Sequence, residues 1–299
     1  MNQTTRYVMD IYQVSVIIRD TLEYLIPKKD GYNAEVYKQR KEIIKISLSE
    51  NHPFAKFLEN NKELGEKVKN NMTDFYELVY GDESRAVFLE NDKVVVDTGY
   101  STQLLDYVVG LHETIYEICL GFIKNAKENN TYEEDFEMLV TKENAFYRSV
   151  ASLVITDQVH RLFVEFNKAM HESKGEATPQ SNFIGNELKK NIGFFAFVEQ
   201  HAHYEDDIYK LAVEKTKFVI DCMGGKQKLD ETGEGLRKEI LNLHELWTKC
   251  VVLTEAEWRG IYQKEVQNLL AYDKERQQQA NVQPTNEATE TPVEETKAE

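Results

Sequence analysis

Residues 101–124 read STQLLDYVVGLHETIYEICLGFIK, and the apolar side chains in this stretch recur at helical steps. Leu104, Leu105, Val108, Leu111, Ile115, Ile118, Cys119, Phe122 and Ile123 fall three or four positions apart, which lays them along one broad face of an α-helix. A strand would need alternation, and none is present here. A helix with so wide an apolar face must bury it against other helices, so this segment predicts an all-α bundle.

The same period recurs outward in both directions. Val8, Ile11, Tyr12, Ile18, Leu22 and Leu25 predict a helix over residues 5–26, ended by Pro27 and the Lys28-Lys29-Asp30-Gly31 turn. Further helices are expected over residues 34–48 and from Pro53, whose missing amide suits a first helical position, to about residue 60. Val68, Met72, Phe75 and Leu78 carry the next one to Gly81. Thr131 with Glu134, and Thr254 with Glu257, have the spacing of capping boxes, in which side chains satisfy the open amides of a helix start. The longest expected unit covers residues 143–172. One helix over 182–222, bent near Gly193, and two more over 236–251 and 254–278 complete a set of eight to ten.

The pattern changes only at residues 85–97. Ala86-Val87-Phe88-Leu89 and Val94-Val95-Val96 are short β-prone runs around Asn91-Asp92, residues that tolerate the left-handed backbone of a tight hairpin. A lone hairpin is marginal in water, so it must pack on helices or pair with another chain. The loop around Gly175 and Pro179 suggests two regions, 1–174 and 181–276. Residues 277–299 hold no aromatic, leucine or isoleucine, and are expected to form a disordered acidic tail.

Composition narrows the function classes. Of 299 residues 41% are hydrophobic, enough to build a core without staples, and the net charge is −16. That charge repels nucleic-acid phosphates and anionic membranes, so neither is expected as a partner. Three scattered cysteines, Cys119, Cys222 and Cys250, cannot form a disulfide framework and favour a reducing, cytoplasmic setting. No secretory leader and no membrane-spanning run is expected.

Catalytic and cofactor signatures are absent. None of the seven histidines lies three residues after a glutamate, the step that puts two di-iron ligands on one helix face, and His-Glu-x-x-His does not occur. The residues suited to a metal are Asp157 with His160 and His201 with Glu205, each pair a helical turn apart, provided their two helices face each other. No cofactor is expected. The run Phe194-Phe195-Ala196-Phe197 places rings on several sides of one helix, so Phe194, Phe195 and Phe197 belong either to the core or to an interface. No stretch carries a family signature. The expectation is a non-enzymatic interaction or assembly subunit, partnered by another protein or by itself, with a virion or mobile-element assembly among its settings. The alternative is a helical metal- or small-ligand-binding protein or enzyme using His160 and His201.

Overall fold

The computed structural model describes residues 3–131, 134–200, 204–230 and 233–282. Helix dominates, as the periodicity requires. The chain opens with α1 (Gln3–Asp20), which tightens into a 3-10 turn at Thr21–Leu25 just before Pro27. Helix α2 (Ala34–Ser47) starts where the Asn33 side chain accepts the amides of Glu35 and Val36, at 2.9 and 3.2 Å. Helix α3 (Pro53–Glu59) has Pro53 at its first turn, with the His52 ring accepting the Phe54 amide. Helix α4 (Lys62–Val79) crosses α3 closely at Gly65. A Cβ there would stand 1.8 Å from the Leu58 carbonyl oxygen, so only glycine permits the approach.

The hairpin forms as expected. Strands β1 (Val87–Glu90) and β2 (Lys93–Val96) pair antiparallel, with Val87 opposite Val96 and Glu90 opposite Lys93. Asn91 and Asp92 both take positive φ, 51° and 58°, as a two-residue turn between right-twisted strands demands. The hairpin's support comes from α2 and α4. Val87 is fully buried, and the Tyr37 hydroxyl of α2 donates to the carbonyls of Val79 and Val87.

Helix α5 (Ser101–Glu128) follows, with Leu105, Val108 and Leu111 wholly buried. Helix α6 (Glu134–Glu172), about 58 Å long at the usual helical rise, packs most extensively against α9 (Glu234–Val282), about 74 Å long. Helices α7 (Pro179–Gln200) and α8 (Asp207–Met223) lie between them in the chain. One apolar core draws residues from all nine of these helices and from the hairpin, and it continues across the loop at 173–178. Within it Trp247 is 1% exposed and its indole N–H donates to Thr216, so truncation to alanine costs about 3–5 kcal/mol.

Several boundaries differ from the sequence reading. Helix α6 begins at Glu134, nine residues before the expected start at 143, and α9 rather than α6 is the longest unit among the described residues. The helix expected over 182–222 is two, α7 and α8. It runs on through Gly193 and restarts at Asp207, where the Asp206 carboxylate accepts the Ile208 amide at 2.8 Å. The two helices expected to meet near Thr254 are one. The Thr254 hydroxyl turns back to the Cys250 carbonyl at 2.7 Å, the habit of a threonine inside a helix, and so caps nothing. Helix α9 also continues to Val282, past the expected tail boundary at Gln277. The rest of the expected tail, residues 283–299, lies outside the described residues. Among the described residues no helix is long and apolar enough to cross a membrane.

Candidate functional site

Helix α5 has two contrasting faces. The apolar one enters the core. On the other, Gln103, Asp106, Gly110, Glu113, Glu117 and Leu120 repeat at steps of three and four and form one wall of an open cleft of about 1260 Å³. The opposite wall belongs to α7, through Phe183, Glu187, Lys190, Gly193 and Phe194. Arg148 of α6 and Lys67 of α4 also border the space. Phe183 is 64% exposed and Leu120 43% exposed, large apolar side chains left open to water. Gly110 and Gly193 both face the cleft, and a Cβ added at either would meet nothing within 4 Å.

Charged groups lie beneath the cleft. The Arg148 guanidinium, buried, donates to a Glu113 carboxylate oxygen at 2.6 Å. Burial pushes the Glu113 carboxyl above its ordinary pKa, while Arg148 pulls it back. Deeper in, the His112 ring stacks on Tyr147 at 3.6 Å between centroids, and its Nε2 lies 3.5 Å from Glu143. Glu143 accepts from the Tyr12 hydroxyl at 3.1 Å and from the Arg19 guanidinium. Arg19 in turn lies 4.3 Å from the rings of both Phe146 and Trp258, and the Trp258 indole donates to Tyr12 at 2.6 Å.

This inner cluster ties α1, α5, α6 and α9 together. A void of about 20 Å³ beside Tyr12, Ser15, His112 and Glu143 has room for one water and for no substrate. His112 and Glu143 are 2% and 3% exposed. Burial first, then the nearby Arg19 and Arg148, hold the His112 pKa below its ordinary value against the pull of Glu143. Closed off from solvent, these groups orient helices.

Comparison with known proteins adds no assignment. No family model matches the chain, and neither a curated protein nor a solved structure is significantly similar to it.

The residues singled out in the sequence fall in several places. Asp157 accepts from Arg161, one turn along α6, at 3.0 Å. His160 is half-buried, its pKa lowered by burial and by Arg237. Glu205 is exposed in the segment before α8, and His201 lies outside the described residues. Among the described residues no three histidine, cysteine, aspartate or glutamate side chains stand close enough to hold a metal. Phe195 is 1% exposed inside the chain's own core, and Phe194 borders the cleft. The side chain of Phe197 is outside the described residues. The sequence reading passed over Glu113, Arg148, Leu120 and Phe183. The available signal was a charge inside an apolar run, Glu113 between Leu111 and Ile115 and Arg148 between Tyr147 and Val150.

Proposed function

We propose that this protein is a non-enzymatic interaction or assembly subunit, and that another polypeptide docks in the cleft between α5 and α7. The observation that carries the reading is the cleft itself, about 1260 Å³ and bordered by the exposed side chains of Phe183 and Leu120. Pockets for small ligands hold roughly 300–1000 Å³ and enclose what they bind, whereas this one is larger and open to solvent. Exposed apolar surface in such a setting is the usual mark of a protein contact. The two glycines support the same reading. A glycine inside a helix costs about 1 kcal/mol relative to alanine, and neither Gly110 nor Gly193 is needed by a neighbour within the chain. Each leaves room for something to come close.

The charge of −16 favours a protein partner over nucleic acid or an anionic membrane. Three free thiols suit a reducing, cytoplasmic setting. Burial pushes the Cys119 thiol up to about 12, which leaves it unreactive.

Affinity purification from the native source, with wild-type protein beside Phe183→Asp and Leu120→Asp, tests the proposal. We expect a partner in stoichiometric amount with the wild type and its loss with either variant. The same set of proteins recovered with all three would overturn the assignment of this cleft.

A further inference from the structure

We infer that the occupant of the cleft is a basic amphipathic helix of a partner protein, its apolar ridge between α5 and α7 and its cationic side chains against Asp106 and Glu117. The inference rests on the docking role proposed above and names the chemistry of what docks. Four acids and three bases line the cleft, and two of the bases are already engaged: Arg148 by Glu113, and Lys190 by Glu187 at 2.8 Å. Asp106 and Glu117 are exposed at the lips, and among the described residues neither forms an ion pair. Lys190, bonded to Glu187, also stands near enough to Asp106 to feel its charge, and Lys67 on α4 is the remaining base of the lining, so four acids face three bases and the excess is negative.

The spacing is as informative as the sign. Asp106 and Glu117 are eleven residues apart on α5, about 16 Å or three turns. The wall between them carries Gly110, where a helix can approach most closely, and Phe183 and Phe194 face it from α7. A helix laid along this groove presents an apolar ridge at its centre and needs one basic residue toward each end. Anionic lipid headgroups would meet the same two carboxylates and be repelled. The chain's own last residues, rich in glutamate, carry the wrong charge for these lips.

Three labelled helical peptides of about 16 residues, roughly 24 Å long, test this. All share one leucine ridge, and two flanking positions eleven apart are lysine, glutamine or glutamate. Fluorescence anisotropy against the full chain reads the affinity. The lysine peptide should bind about tenfold tighter than the glutamine one, and the glutamate peptide weakest. In Asp106→Lys/Glu117→Lys the order should reverse. Phe183→Asp should abolish binding although it makes the chain more acidic, whereas non-specific attraction to an anionic protein would grow. Leu120→Asp repeats that test should Phe183→Asp fail to give a folded circular dichroism spectrum.

Equal binding of the lysine and glutamine peptides, both lost in Phe183→Asp, would overturn the basic partner and leave the docking cleft standing. Binding by none of the three, or binding indifferent to Phe183→Asp and Leu120→Asp, would overturn the cleft itself.

Discussion

Arg19 shows how much one residue can carry in this fold. It is 3% exposed, paired with Glu143 and flanked by two aromatic rings. Arg19→Met leaves the Glu143 carboxylate buried without its cation, and should lower unfolding stability by about 3–5 kcal/mol in urea titration. Adding Glu143→Leu should recover much of that loss, because the uncompensated charge goes with it. No recovery would mean that the pair does more than neutralise itself. His112 adds a pH dependence. Its pKa is lowered in the folded chain, chiefly by burial, so the unfolded chain binds the proton first as pH falls. The stability it contributes is whole above about pH 6.5, its ordinary value, and is lost as pH falls through the folded value. His112→Gln should therefore flatten the fall in stability between pH 7.5 and 5. Glu113 is raised by burial and works in the opposite sense upward from pH 4.5, so the difference between variant and wild type is the quantity to read. An unchanged slope in the variant would remove His112 from this account.

Among the helices, glycine separates packing from access. Gly65 lets α4 pass against the Leu58 backbone, and Gly65→Ala forces two helices apart. A loss of about 2–3 kcal/mol or more is expected from that overpacking, read as a lower urea midpoint. Gly110 and Gly193 lie in open space, so alanine at either should stabilise its helix by about 0.5–1 kcal/mol while weakening partner binding. Stability gained with binding unchanged would show that their small size serves nothing in the cleft. The same scale explains which boundaries were legible. Asn91-Asp92 and Pro53 act within a few residues of themselves, so the hairpin turn and the start of α3 could be read directly. Thr254 could not be, because its hydroxyl caps a helix or bonds back along one according to whether the preceding turn is helical. That turn is held by the packing of α9 along α6.

For the molecule as a whole, charge sets how it can associate. Two copies at −16 repel each other over about 8 Å at physiological ionic strength, and added salt weakens that repulsion. Self-association through apolar surface should therefore tighten as salt rises. A basic helix drawn to Asp106 and Glu117 should instead bind more weakly. Light scattering of the protein alone, beside anisotropy of the lysine peptide at low and high salt, gives opposite slopes if both contacts exist. A strict monomer at both salt concentrations would leave the cleft to a foreign partner alone, and a salt-independent peptide affinity would count against the ionic contacts.

The sequence by itself determined that this is a helical protein with one hairpin, because helical period, turn residues and proline placement act over a few residues and need no distant partner. It also set the net charge, and with it the sign of the partners that can be attracted at long range. Only the tertiary structure decided which polar side chains are sealed in and which face solvent. Glu113 and Glu117 are one turn apart on α5, yet one is paired beneath the cleft with Arg148 of α6 and the other stands open at its lip. That difference depends on where α6 and α7 come to rest, through contacts between residues far apart in the chain, and no local pattern encodes it.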